Sequence, residues 1–214
     1  MKENSINIKV FDSIPFSAPP DKIYSRLGYV KGVTKISKGQ DGLIKKYIGQ
    51  ARELIRLKGA AVRVPIEKVD SGEITLSGRI SFRSKALAKF LVNCKEVLIM
   101  AATAGEEVVK AIDKNFQGKD MTLAVVFDAV ASQEVDQSLA WIMNCFNISL
   151  AAEGKCLTPR RFSAGYGDFS LDNQKIIYDT LRLKRLGISL TGEYILVPEK
   201  SVTAIAGIKQ DKRV

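Results

Sequence analysis

The segment from Thr122 to about Ala152 contains neither proline nor glycine, and this absence constrains the fold more than any other feature of the sequence. Because both residue types interrupt helices, the segment predicts one long helix, with Trp141 in the core. The apolar positions of its buried side are Val126, Val130, Val135, Leu139, Ile142, Met143 and Phe146. Four polar residues of this segment either face a ligand pocket or are solvated, namely Asp128, Glu134, Asp136 and Gln137.

The rest of the chain alternates between strand-like and helix-like segments. Val97 to Ala101 is continuously apolar and predicts a buried central strand. The order of elements predicts an α+β fold, in which a twisted, mostly antiparallel sheet has flanking helices. We expect a single domain over residues 1–214, with a lead-in strand and loop over about residues 1–20. The other predicted strands are 7–10, 61–66, 73–82 and a terminal hairpin of 194–197 with 201–205. The predicted helices are 21–27 and 43–55, of which the second is closed by Gly59. Three more helices are predicted, one capped by Ser84, one opened by Gly105, and one capped by Ser170 and closed by Gly187.

The chain has no histidine, and its three cysteines form no C-x-x-C pair. A Ser-His-Asp triad, a Cys-His dyad and an imidazole metal ligand are therefore impossible, and we predict neither catalytic nor metal-binding residues. The odd number of cysteines also argues against a disulfide framework. No apolar run is long enough to cross a bilayer and residues 1–4 show no signal-peptide pattern. We expect a cytoplasmic protein that makes no contact with membranes.

The formal net charge of +10 permits three interpretations. A nucleic-acid-binding protein is one of them, but the basic residues are mixed with acidic ones and form no stripe interleaved with aromatic residues, so this class is disfavoured. A solvated surface that keeps the protein soluble is the second. Electrostatic attraction to acidic protein partners is the third.

The run from Arg160 to Asp168 combines arginines, two glycines, an aromatic ring and a carboxylate in one short polar segment. Such a segment is poorly suited to a core and well suited to a small charged ligand. Arg161 offers a planar set of donors that matches a carboxylate or phosphate. Gly165 and Gly167 allow the backbone to approach a ligand closely. An ordinary glycine-rich turn with a solvated arginine is the alternative.

The spacing Arg161-x-x-x-Gly165-Tyr166 resembles the Arg-x-x-x-Gly-Tyr signature of the activation domain of cobalamin-dependent methionine synthase. The resemblance covers about residues 21–208 and implies that this chain has that domain's fold as a free-standing protein. Segments on either side of the motif also carry the resemblance. They are 84–89 (Ser-Lys-Ala-Leu-Ala-Lys), 96–105, 190–193 (Leu-Thr-Gly-Glu) and 197–204.

The resemblance implies a ligand, a partner and a role for the chain. The family's activation domain binds S-adenosylmethionine, which supplies a methyl group when the cobalamin has become oxidised. Carried over to this chain, the binding residues are Arg161 for the ligand's carboxylate, backbone groups of Ser163 and Gly165, and Tyr166 for stacking or a hydrogen bond. The corrinoid would be held by a partner methionine synthase or related corrinoid methyltransferase, and a flavodoxin-like protein would be the reductant. The chain itself would be an accessory component of that enzyme system.

The chain departs from the family pattern at three positions. Gly28 aligns where an acidic residue contacts the ligand, Gly167 stands in place of a proline, and no tyrosine follows Tyr194. These departures favour an alternative, a non-enzymatic interaction module that keeps the fold without the ligand. An ordinary S-adenosylmethionine-dependent methyltransferase is disfavoured, because no glycine-rich loop follows the first strand.

Overall fold

The structure is a computed structural model, and it describes residues 7–118 and 120–211. Residues 1–6 and 212–214 of the predicted domain lie outside the described residues. The strands are β1 (Lys9–Phe11), β2 (Lys58–Val69), β3 (Glu73–Leu76), β4 (Ile80–Arg83), β5 (Glu96–Thr103), β6 (Lys155–Leu157), β7 (Ser189–Leu190), β8 (Leu196–Val197) and β9 (Ser201–Gln210). The helices are α1 (Pro20–Arg26), α2 (Lys38–Leu54), α3 (Lys85–Leu91), α4 (Glu106–Gln117), α5 (Met121–Ala151), α6 (Asn173–Leu181) and a 3-10 helix (Leu183–Leu186).

The main sheet has seven strands, six of them in the order β4-β3-β2-β5-β9-β6, and β1 also pairs with β2. All of its pairings in the described part of the chain are antiparallel. The predicted α+β class with an antiparallel sheet and flanking helices is therefore confirmed. Strand β5 is central and almost completely buried, as the continuous apolar run predicted.

Each face of the sheet has its own core. Leu98, Met100 and Ala102 of β5 point into one core, which α1, α2, α4 and α5 cover. Val97 and Ile99 point into the second core, which α3, α6 and the 3-10 helix cover. Alternate residues of one strand serve opposite faces because the side-chain repeat of a strand is two. No helix in the described ranges is long and apolar enough to cross a bilayer.

The long helix α5 matches its prediction to within one residue at each end. Trp141 is partly buried against the first core and meets Phe11 edge-on, with ring centroids 5.3 Å apart. Glu134 is only 1% exposed. Its carboxylate accepts hydrogen bonds from Arg52 Nε at 3.0 Å and from the Ala18 backbone at 2.9 Å, so it fastens the N-terminal segment and α2 to the long helix.

The helix predicted over residues 43–55 differs from its prediction at both ends. Helix α2 begins at Lys38, where Ser37 and Gln40 form a capping box, and it ends at Leu54. Gly59 does not close it, because that glycine lies inside β2 and faces the backbone of β5. A Cβ atom at Gly59 would come within 2.9 Å of the Ala101 carbonyl oxygen, so close strand packing explains this glycine.

The predicted terminal hairpin of residues 194–197 and 201–205 is wrong. Strand β8 pairs with β7 in a separate two-stranded sheet, whereas β9 pairs with β5 and β6. The segment 73–82 is also not one strand but the hairpin of β3 and β4. The helix after Ser170 ends at Leu181, and the chain continues as the 3-10 helix up to Gly187.

Candidate functional site

The arginine–glycine segment lies at the edge of the main sheet, between β6 and α6. Phe162 forms an isolated antiparallel bridge to Ile205 of β9, with N···O distances of 2.8 and 2.7 Å. This bridge continues the sheet edge beyond β6. It fixes the place where Arg161 leaves the sheet and the loop of residues 163–168 begins.

Internal hydrogen bonds close that loop on itself. The Gly165 N–H donates to the Phe169 carbonyl at 2.7 Å, and the Phe169 N–H donates to the Tyr166 carbonyl at 3.0 Å. Ser163 Oγ donates to the Thr203 carbonyl at 2.8 Å. Gly165 has φ of +90° and Gly167 has φ of +59°, conformations that glycine adopts without strain. The loop is therefore a defined turn that holds Tyr166 outward, with 70% of that residue exposed.

Two ion pairs join the long helix to the segment and to the start of β9. The Arg161 guanidinium pairs with the Asp136 carboxylate and also contacts the Asp136 carbonyl oxygen. Lys200 Nζ lies 2.6 Å from Asp128 Oδ1. The two aspartates are two helical turns apart on α5, which places them about 12 Å apart along its axis. Both acids are about two-fifths exposed, so the two ion pairs are open to solvent.

The four predicted binding residues lie close together in the chain, but the structure gives them different surroundings. Tyr166 is exposed, whereas the Arg161 guanidinium is partly buried and held by Asp136 of α5. The Ser163 hydroxyl already donates to Thr203 of β9 and the Gly165 N–H to Phe169, so these groups would have to exchange partners to bind a ligand. The neighbouring Arg160 is exposed. The assignment of these residues as ligand contacts stays a prediction.

The polar residues of α5 divide between two sides of the helix. Asp128 and Asp136 face the candidate site, whereas Glu134 is buried on the opposite side against Arg52. Lys200 was missed at the level of the sequence. Its position in a turn before β9 carries no local signal, and only the pairing of β9 with β5 brings it to α5.

Asp168 connects the loop to the neighbouring helix α3. Its carboxylate accepts hydrogen bonds from Ser84 Oγ at 2.5 Å, from the Lys85 N–H at 2.7 Å and from the Ala86 N–H at 3.2 Å. Ser84 Oγ in turn accepts from the Leu87 N–H, so the predicted Ser84 cap is confirmed. The Ser84 hydroxyl, with the two amides, lowers the pKa of Asp168.

Replacing Asp168 by alanine is expected to lower the melting temperature in a pH-dependent way. The pKa of this group in the folded protein is below its ordinary value of 3.8. Its contribution to stability is therefore fully present above about pH 4 and is lost as the pH falls through the folded-state pKa. Thermal melts at neutral pH and near pH 2 measure the difference, with Asp12→Ala as an exposed control. A deficit that persists unchanged in acid would show that the carboxylate charge is not its cause.

An open groove of about 830 Å³ borders the site on the side of β6. Helix α5 forms one wall through Met143, Asn144 and Asn147, and Arg161 lies at its edge. The Asn147 side chain accepts from the Leu157 N–H at 3.0 Å, which ties this wall to β6. In the described ranges, no three cysteine, aspartate or glutamate side chains form a group that could hold a metal ion.

Comparisons with known proteins bear on the fold. No family model matches the sequence, and no curated protein matches it. Among solved structures, the chain is similar to the MetH reactivation domain bound to AdoHcy, with a TM-score of 0.63 and 12% sequence identity. The match covers 96% of this chain and 79% of that domain. The chain therefore has the fold of the methionine synthase reactivation domain over almost its whole length.

Proposed function

We propose that this protein binds S-adenosylmethionine at the Arg161–Tyr166 segment and serves as a reactivation subunit for a corrinoid enzyme. The observation that carries the proposal is the likeness, over 96% of the chain, to a reactivation domain that binds AdoHcy. The Arg-x-x-x-Gly-Tyr spacing is a second observation that supports it. This segment lies at an edge of the sheet, where Phe162 bridges to Ile205, and a ligand can reach it there.

The ion pairs at the site suit a ligand with an amino-acid end. In the structure the Arg161 guanidinium is held by Asp136, whose side chain is 42% exposed and can move aside. A ligand carboxylate would replace Asp136 on the arginine, and the released aspartate would then attract the ligand's ammonium group. Exchange of one ion pair for two keeps every charge paired, which lowers the cost of desolvating the site.

The loop provides the remaining contacts of the proposed site. Tyr166 offers an exposed ring against which an adenine can stack. A Cβ at Gly165 would meet Leu171 at 3.5 Å, whereas the space beside Gly167 is open, so a flat ligand can approach the backbone at Gly167. Asp128, which lies on the same helix as Asp136 and pairs with Lys200, adds a carboxylate near a bound sulfonium. Together these groups bind and orient the ligand, and none of them has to act as an acid or a base.

Bound S-adenosylmethionine supplies an electrophilic methyl group, and by the family resemblance the acceptor is a reduced corrinoid on a partner protein. The chain has no histidine to ligate cobalt, which is why we assign the corrinoid to the partner. The task of Arg161 and the loop is to hold the ligand so that its sulfonium is presented outward. They would promote methyl transfer by orienting the ligand and would supply no acid, base or nucleophile.

Calorimetric titration with S-adenosylmethionine and with S-adenosylhomocysteine tests the proposal. We expect saturable binding of both, with one ligand per chain, and slower proteolysis of the 163–168 loop in the bound state. Titration with adenosine alone is the control, because it lacks the carboxylate that Arg161 would hold. If neither ligand gives heat nor raises the melting temperature at millimolar concentration, the binding proposal is wrong.

The second candidate is an interaction module that has the same fold without the ligand. The internal bonds of Ser163 Oγ and the Gly165 N–H favour it, since both groups are engaged within the protein. The presence of Gly28 where the family has an acidic residue points the same way. The titration distinguishes the two candidates, because the module predicts no binding.

A further inference from the structure

An exposed apolar surface lies where the end of α1, the middle of α2 and the first turns of α5 meet. Leu27, Tyr29, Ile44, Met121 and Val125 line a shallow depression of about 290 Å³ there, which we name the α1–α2 surface. Met121 is 58% exposed and Val125 is 45% exposed. Grouped apolar side chains of this kind on a soluble protein mark sites of association.

The same part of the chain carries an unusual share of the positive charge. Between Asp21 and Lys46 there are seven basic and two acidic residues, so half of the net charge of +10 lies in this short stretch. Lys31, Lys35 and Lys38 are exposed, and none of them forms an ion pair with a residue that the structure describes. The chain stretch that supplies Leu27, Tyr29 and Ile44 to the α1–α2 surface therefore also carries exposed lysines that have no ion-pair partner among the described residues.

Helix α5 connects this surface to the candidate site. Met121, Val125, Asp128, Ser132 and Asp136 follow one another at intervals of three or four residues, so they lie on one side of the helix. Asp136 holds Arg161. With a rise of 1.5 Å per residue, Val125 and Asp136 are about 16 Å apart along the axis. A protein bound to the α1–α2 surface through a contact face of ordinary size would therefore reach the Arg161–Asp136 pair.

We infer that the α1–α2 surface docks an acidic protein whose contact face has an apolar centre surrounded by carboxylates. Under the proposed function, on which the identity of this partner rests, it is the protein that holds the corrinoid. Charge complementarity selects the acidic face. The concave apolar centre selects a protein, because nucleic acid would leave it uncovered and a flat bilayer would not fill it.

The test measures binding of the protein to the corrinoid-binding methionine synthase of the same organism across a salt series. We expect affinity that falls as salt rises, since screening shortens the reach of the lysines. The double substitution Lys31→Glu and Lys35→Glu is expected to weaken binding by about tenfold or more. The matched control is Lys184→Glu with Arg185→Glu, an equal change of charge in the 3-10 helix, which packs on the other face of the sheet.

A second pair of variants tests the apolar centre. Val125→Asp should weaken docking, whereas Ile148→Asp should not, although Ile148 lies on the same helix and is 78% exposed. Melting curves establish that each variant is folded. Equal effects of the test and control variants, or absence of binding by the unmodified protein at low salt, would overturn the inference. Tighter binding to phosphatidylglycerol vesicles or duplex DNA than to the corrinoid protein would overturn it as well.

Ligand titration separates failure of this inference from failure of the proposed function. The Lys31→Glu, Lys35→Glu variant should bind S-adenosylmethionine as the unmodified protein does. Among the described residues, Arg161 contacts Asp136 and Ser163 contacts Thr203, and neither lysine takes part in these contacts. Loss of docking with ligand binding retained would then be assigned to the surface. Docking without any ligand binding would leave the surface in place and count against the proposed function alone.

Discussion

Replacing Arg161 by alanine is expected to weaken S-adenosylmethionine binding by about tenfold to a hundredfold, because a hydrogen bond to a charged group contributes about 1.5–3 kcal/mol. The substitution removes the guanidinium proposed to hold the ligand's carboxylate and leaves Asp136 without its partner. That unpaired carboxylate would still attract the ligand's ammonium group, which is why the loss should be large but incomplete.

Calorimetric titration of the Arg161→Ala variant measures the effect, and Arg160→Ala is the matched control. Arg160 is exposed, next in the chain, and carries the same charge. A general loss of positive potential would weaken both variants alike. Unchanged affinity in the Arg161 variant, or an equal loss in the control, would contradict the proposed contact. The corresponding titration with adenosine should show no difference between the variants, since adenosine has no carboxylate.

The elements predicted correctly are those whose signal is local and continuous. Helix α5 follows from a long stretch without helix breakers, and β5 follows from an apolar run that is typical of a strand buried on both faces. The Ser84 cap follows from one residue and the helix after it. In each case the signal lies within the element itself and does not depend on which distant segments pack against it.

The errors arise where a strand's partner is distant in sequence. The residues of 194–197 and 201–205 indicate strands, but not that β9 pairs with β5 about a hundred residues earlier. Gly59 shows the same limit, since its close approach to Ala101 belongs to the sheet and not to the preceding helix. Register between distant strands depends on both faces of the sheet, and a single segment does not contain that information.

The candidate site divides in the same way. Arg161, Gly165 and Tyr166 are contiguous, so their spacing could be recognised from the sequence. Asp136 and Lys200 come from a helix and a turn on either side of the segment, and only the fold brings Asp136 to Arg161 and Lys200 to Asp128. The sequence indicated that Asp128 and Asp136 either face a pocket or are solvated. In the structure both form ion pairs and stay about two-fifths exposed, so their role toward a ligand stays a prediction.

Phe169 joins the loop to the second core through side-chain and backbone contacts. Its ring is completely buried and meets Phe82 edge-on, with centroids 5.5 Å apart, and Phe162 lies 6.0 Å away on the other side. Its backbone carbonyl accepts from Gly165, and its N–H donates to Tyr166. A single residue thus anchors both halves of the turn that carries the proposed ligand contacts.

Replacing Phe169 by alanine is therefore expected to lower the free energy of unfolding by about 3–5 kcal/mol, because it removes a buried ring and leaves a cavity. Denaturant unfolding at constant temperature measures the loss as a lower midpoint with an unchanged slope. Phe116→Ala is the control, since Phe116 is 44% exposed and should change stability little. At a temperature where both variants are folded, S-adenosylmethionine affinity should fall in the Phe169 variant alone, because the Gly165–Tyr166 turn loses its anchor. Equal midpoints for the two variants would show that the ring does not support the loop.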